Sequence, residues 1–372
     1  MTVVIAVVVI ALVFTYINGF HDTANSIATV VATKVLSPGQ AVLLAAGTNL
    51  IGAFMGTAVA ATIASGLINA GVIDMSSQLL ICALMAAIVW NLITWWLGLP
   101  SSSSHALIGS LVGAAIAASH NNFDSVIWVQ GGWLKGSGVI PKVIIPMMLS
   151  PVGGFIIGFI VMAALYALLV WFAHRQGWLR RLGRTPFVSA FFGKAQIASA
   201  AAMGVAHGMN DAQKSMGIIA LALAGATAAH QFDHLPEIFS FLRIDENPAG
   251  GFAIPVWVKV VSALTMAAGT AGGGWRIIKT LGHKMVKLHP IDGFAAETAS
   301  ATILVTAAHF GMPVSTTHSI STAIMGVGFA KNPRALKLGV IERIVWAWIL
   351  TIPAAGAVAY GLYKLLEVSG WA

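Results

Sequence analysis

The sequence predicts an all-α integral membrane protein of two inverted-topology repeats, each with a broken helix and a helical hairpin. Three observations carry this prediction. Apolar runs long enough to cross a bilayer recur along the whole chain. Two motifs occur twice in the same order. The basic residues gather in a few short stretches.

Hydrophobic residues fill 58% of 372 positions and charged residues only 9%, too little charge to cover a soluble domain of this size. A helix needs roughly 20 apolar residues to span a bilayer, and runs such as 41–64, 79–97 and 143–173 meet that length. The stretch 3–17 lacks a basic start and runs directly into polar residues, so it reads as part of a transmembrane helix and not as a cleaved signal. The formal charge of +8 is read as marking the cytoplasmic side of a membrane protein, with no nucleic-acid partner. Cys82 is the only cysteine, which excludes a disulfide framework or a cysteine metal site within one chain.

The repeat is visible in two motif pairs. Asn18-Gly19-Phe20-His21-Asp22-Thr23-Ala24-Asn25 matches His207-Gly208-Met209-Asn210-Asp211-Ala212-Gln213-Lys214, and Gly98-Leu99-Pro100-Ser101-Ser102-Ser103-Ser104-His105 matches Gly311-Met312-Pro313-Val314-Ser315-Thr316-Thr317-His318. The proline pair is further apart than the aspartate pair, which places an insertion in the second half, at the polar stretch 230–250. The boundaries are 1–173 for the first repeat, 174–196 for a basic cytoplasmic connector and 197–372 for the second, with a polar extracytoplasmic loop at 229–250.

Charge sets the direction of each element. Lys34, then Arg175, Arg180, Arg181, Arg184 and Lys194, then Arg276, Lys279, Lys284 and Lys287, then Lys331, Arg334, Lys337 and Arg343 form basic groups, which stay in the cytoplasm. Asp233, Glu237, Asp245 and Glu246 stand against Arg243 alone and suit the outside. A helix over 3–33 therefore runs inward, broken near 19–25, and 41–63 returns. Segments 77–97 and 101–118 form a hairpin opening outward, and 143–173 crosses to the basic connector. The second half repeats the order upside down: a broken helix 197–226, then 252–271, a hairpin of 293–311 and 313–330, and 338–366. Both termini fall outside. Inverted repeats with interrupted helices are the sequence signature of secondary transporters.

The chemistry lies at the repeated motifs. Pro100 and Pro313 suit the first turn of the helix that follows. Ser102, Ser103 and Ser104, and Ser315, Thr316 and Thr317, then stand where backbone N–H groups are free and the dipole end is positive. Free amides and clustered hydroxyls make an anion site, and two such ends facing each other suit a tetrahedral oxyanion. A single tip would read as an ordinary helix cap. Asp22 and Asp211 are carboxylates at membrane depth, costly there unless they function. With the amide oxygens of Asn25, Asn210 and Gln213 they suit a hard cation or a proton relay. Lys214 is either the partner of Asp211 or an anion contact. Histidine changes charge nearest neutral pH, and His21 adjoins Asp22, while His105 and His318 occupy matching places as structural donors or proton carriers. Glu297 has no acidic counterpart, Leu84 standing in its place in the first half. His230, Asp233, His234 and Glu237 have metal-ligand spacing but read as a solvated loop, and Trp90, Trp95, Trp96, Trp346 and Trp348 as interface belt and packing.

These motifs resemble the PiT family of inorganic phosphate transporters. The resemblance covers nearly the whole chain. It rests on the Gly19–Asn25 and His207–Asp211 segments, both Pro-Ser/Thr-His tips and Gly293-Phe294-Ala295-Ala296-Glu297. It implies a symporter and homodimer in the lipid bilayer, with a core transport region and a scaffold, phosphate at the hairpin tips and cations near the two aspartates. Many sodium-coupled members read Gly-x-Asn-Asp in both repeats, whereas this chain has His21 where the first Asn would stand. That departure is similar to the low-affinity bacterial branch of the inner membrane. The branch is proton-coupled and takes phosphate as a neutral complex with a divalent metal, so H+ is expected as the co-transported ion, with Na+ as the alternative and no bound cofactor. A few relatives carry sulfate, the nearest rival substrate. An intramembrane serine hydrolase is the rival from another class, but it calls for one distinctive serine with a base and an oxyanion hole. Here the hydroxyls are clustered and duplicated, with Thr replacing Ser in the second copy.

Overall fold

The structure is a computed structural model and describes residues 2–69, 71–73, 76–133, 136–244 and 253–371. Asp245 and Glu246, two acids of the expected outside loop, lie outside the described residues, as does the Lys284 side chain. The helices are α1 (Thr2–Ala32), α2 (Pro38–Ala53), α3 (Ala58–Ser65), α4 (Ser77–Leu97), α5 (Ser103–Ala118), α6 (Ile145–Ala173), α7 (Trp178–Leu182), α8 (Thr185–Ala228), α9 (Val256–Gly272), α10 (Trp275–Lys279), α11 (Pro290–His309), α12 (Thr316–Lys331) and α13 (Leu338–Val368). Among the described residues there is no β-strand.

Four helices are long and apolar enough to cross a membrane, or five if the bent pair α2–α3 is one span, by length and composition among the described residues. The chain is a multi-pass membrane protein. The 44-residue α8 is not one of these spans. Its middle carries His207, Asn210, Asp211, Gln213 and Lys214, all buried in protein. The α6 helix is the opposite case, with Leu149, Val152, Ile156 and Ile160 exposed along it.

Two expectations are corrected. The breaks placed in the first helix of each half are absent, because α1 and α8 run continuously through both aspartate motifs. The glycines there serve close helix contact. A Cβ at Gly19 would overlap the Met266 carbonyl of α9, and one at Gly208 the Asn49 carbonyl of α2. The interruption falls in the second helix, where α2 and α3 meet at 70°. The α8 helix also starts at Thr185, so residues 185–196 of the expected connector are its first turns.

The two hairpins turn in the same way. Gly98 and Gly311 take left-handed φ values of 66° and 62°, which cost glycine least. At each end two paired bonds close the helix: Leu99 N–H to Thr94 C=O (2.9 Å) with Gly98 N–H to Trp95 C=O (2.9 Å), and Met312 N–H to Ala307 C=O (2.9 Å) with Gly311 N–H to Ala308 C=O (3.1 Å). The prolines stand before the helix caps, not in the first turn, since α5 and α12 begin only after Ser102 and Ser315.

Packing between the halves is reciprocal. The α1 helix packs on α9 and α8 on α2; α5 packs on α13 and α12 on α6. Within each half the first helix packs on the hairpin, α1 on α4 and α8 on α11. The result buries the first turns of α5 and α12 together with the polar middles of α1 and α8.

Candidate functional site

The two hairpin tips touch. Ser104 donates to the Val314 carbonyl at 3.3 Å, and the rings of His105 and His318 meet edge to face with centroids 4.8 Å apart. Ser102 and Ser315 are the helix caps, their hydroxyl oxygens accepting from the N–H of His105 (3.2 Å) and His318 (3.1 Å). Each cap satisfies one amide. The amides of Ser103, Ser104, Thr316 and Thr317 begin their helices without a backbone acceptor inside them.

Around these tips the carboxylates of both halves converge. Single ligand atoms of Asp22, His207 and Asp211 all lie within 4.8 Å of one another, fully buried. Asp22 receives the Ser103 hydroxyl at 2.6 Å and the Thr317 hydroxyl at 3.4 Å. His21 Nδ1 lies 2.7 Å from the same carboxylate. Its Nε2 lies 3.2 Å from the Thr94 hydroxyl, a group able to donate or accept. Asn25 donates to Thr316 (3.0 Å) and Thr317 (2.9 Å), which leaves those hydroxyl protons for another acceptor. Lys214 Nζ stands 3.0 Å from Asp211 and donates to Ser103 at 2.9 Å. One polar network thus joins His21, Asp22, Asn25, Ser103, Thr316, Thr317, Asp211 and Lys214.

His207 enters this network although the sequence reading names it only as a motif letter. It lies on the same face of α8 as Asp211, four residues away, with Nε2 3.1 Å from the carboxylate. That approach is short but not aligned as a hydrogen bond. His207 Nδ1 faces the Asn49 carbonyl oxygen at 3.1 Å, while the Asn49 amide donates to Thr270 at 2.9 Å. With Nδ1 donating to Asn49, Nε2 meets a carboxylate and needs a second proton or a cation between them. The i, i+4 spacing of His207 and Asp211 was the available signal.

Other expected residues stand apart. Gln213 turns its carbonyl oxygen to the amides of Val59 (2.9 Å) and Ala60 (3.2 Å) and caps α3, whose own first residue supplies no side-chain cap. Asn210 donates to the carbonyls of Ala206 and Leu304. Among the described residues, the amide oxygens of Asn210 and Asn25 are buried with no hydrogen-bond partner, as are both ring nitrogens of His105 and of His318. His318 stacks on Trp348 at 4.1 Å, and the Trp348 indole donates to the Pro100 carbonyl at 2.9 Å. Trp348 therefore supports the tip and is no belt residue, while Trp96 and Trp346 are exposed. Glu297 forms a separate buried cluster with Thr29, Ser199 and Gln196. Seven residues along α1 from Asp22, Thr29 sits about 10 Å from the cradle by helical rise. The residues at the matching places of the opposite halves, Leu84 for Glu297 and Ile218 for Thr29, are apolar core. His230 and Asp233 pair at 2.8 Å on the exposed surface.

Comparison with known proteins gives the family. A family described as the phosphate transporter family matches residues 18–359. The chain is 43% identical over 364 residues to the "probable low-affinity inorganic phosphate transporter" of Mycobacterium bovis, covering 98% of this chain and 78% of that protein. The protein of the same description from Bacillus subtilis is 40% identical over 365 residues, 97% of each chain. A solved structure titled "The sodium-dependent phosphate transporter" superposes with a TM-score of 0.78 over 99% of this chain and 100% of that one, at 23% identity.

Proposed function

Because the chain belongs to the phosphate transporter family, whose members are transporters and not enzymes, we propose that it imports inorganic phosphate by symport with protons. The substrate class is that of the family; the coupling and the binding residues are our reading. Phosphate sits between the two tips, held by the amides of Ser103, Ser104, Thr316 and Thr317 and by the hydroxyls of Ser103, Thr316 and Thr317. Asp22 with the Asn25 oxygen, and Asp211 with His207, hold the protons or cations that balance the anion, and Lys214 adds a fixed positive charge.

One observation carries proton coupling. Each half brings a histidine against its own aspartate, His21 to Asp22 at 2.7 Å and His207 to Asp211 at 3.1 Å. Histidine is the side chain whose ordinary titration range spans physiological pH. Entry of an anion against an inside-negative potential needs compensating positive charge, and protonation at such a pair beside the anion can supply it. A divalent metal arriving with phosphate would meet two carboxylates and an imidazole, a donor set suited to such an ion. Reciprocal packing of matching elements supports inverted repeats, and basic connectors support a bacterial inner membrane location with both termini outside. A homodimer is part of this reading.

Uptake into proteoliposomes tests it. An acid-outside gradient should drive phosphate entry in sodium-free buffer, with divalent metal adding to the rate. Asp22→Asn should abolish gradient-driven uptake, and His21→Asn should move its pH dependence. Strict dependence on sodium, with no response to the proton gradient, would overturn the coupling while leaving the phosphate site intact.

A further inference from the structure

The two halves differ at one position of the cradle. Three residues after its aspartate the first half has Asn25, and at the matching place the second half has Lys214. Asn25 keeps its amide oxygen buried and, among the described residues, without a hydrogen-bond partner, and its amide is joined to the Asp22 carboxylate through the Thr317 hydroxyl; an unpartnered oxygen and a carboxylate so linked are donors a mobile cation can use. In the second half the corresponding space holds an ammonium group. Lys214 is 1% exposed and among the largest fully buried side chains. Its Nζ lies 3.0 Å from Asp211 Oδ1 and reaches the opposite tip, donating to Ser103 at 2.9 Å. Ser103 in turn donates to Asp22 at 2.6 Å.

A buried ion pair is costly to desolvate and by itself adds little stability. A pair that served only the fold would be complete with Asp211. This ammonium instead pairs by charge with one half's aspartate and donates its hydrogen bond to the other half's anion-binding hydroxyl. We propose that Lys214 is a tethered cation: it stands where a mobile coupling cation would sit at Asp211, so the cradle loads one monovalent cation fewer per phosphate than two open aspartate sites would. The open site is then Asp22 with Asn25. The inference rests on phosphate binding at the tips and names the residue that sets how many cations accompany it.

Labelled-phosphate binding to purified protein tests this, measured against sodium concentration at fixed pH and with proton uptake followed by a pH dye. Lys214→Asn copies the first half into the second. It should take up one more monovalent cation per phosphate than the wild type, seen as a steeper sodium dependence or as added proton uptake. In sodium-free buffer at fixed pH its affinity should fall at least tenfold, and sodium or acidification should restore it. Lys214→Arg should keep the wild-type cation number. Asp211→Asn/Lys214→Asn, which removes the carboxylate to be filled, should lose the added dependence. If Lys214→Asn folds only in sodium, the same conclusion follows from folding. A Lys214→Asn protein whose phosphate binding and folding show no added cation dependence overturns the tethered cation. Absence of phosphate binding in the wild type itself would instead overturn the phosphate site.

Discussion

Ser103 is held from two sides. It gives its proton to Asp22 and receives one from Lys214, so an arriving anion must compete with Asp22 for that proton. Thr316 has no such rival: Asn25 donates to its oxygen, leaving the hydroxyl proton for the ligand. Each charge-assisted bond is worth about 1.5–3 kcal/mol, and about 1.4 kcal/mol is a tenfold change in affinity. Ser103→Ala/Thr316→Val should therefore weaken labelled-phosphate binding by about a hundredfold or more in protein that still elutes as folded. Unchanged affinity would remove the tips from the site, and sulfate competing as well as phosphate would change the substrate. At this scale the sequence was partly legible. Aspartates at membrane depth and duplicated hydroxyl runs stand out by type alone. Which serine of Ser101-Ser102-Ser103-Ser104 caps and which binds did not, because only the starting phase of α5 separates them. Gln213 was read as a cation ligand because nothing in the chain marks α3 as the helix its oxygen caps.

Helices read from hydropathy came close to their observed bounds wherever both ends met a turn signal, as at Ser77–Leu97. The aspartate motifs misled because glycine beside polar residues has two uses. It can interrupt a helix, or it can let another backbone approach. Here the second holds at Gly19 and Gly208. Gly208→Val should force α8 away from Asn49 on α2 and lower stability by about 1–3 kcal/mol, the cost of overpacking. Gly47 on α2 has nothing within 4 Å of an added Cβ, so Gly47→Ala should instead stabilise by about 0.5–1 kcal/mol. Thermal unfolding in detergent compares the two, and equal shifts would remove close approach as the reason for Gly208.

For the whole molecule, two motif pairs and a charge pattern suggest inverted repeats, and the matching elements pack reciprocally. The expected orientation rests on the basic groups alone. Single cysteines at Asp233 and at Arg180, with Cys82 replaced, should react with an impermeant reagent from outside and from inside respectively. Cytoplasmic labelling at Asp233 would contradict the inverted reading. What charge and repetition did not reveal is the exchange of partners: α5 rests on α13, and α12 on α6. That exchange governs assembly. The α5 helix emerges well before its partner, with Ser103, Ser104 and His105 on a turn that is buried in the folded protein, since its main neighbour is α13, far later in the chain. Contacts so distant in sequence form late. The first hairpin must wait in the membrane until the second half brings Lys214 and Val314 to its polar turn and α13 to its helix, so the nascent first half is the stage at which this chain is most exposed to quality control.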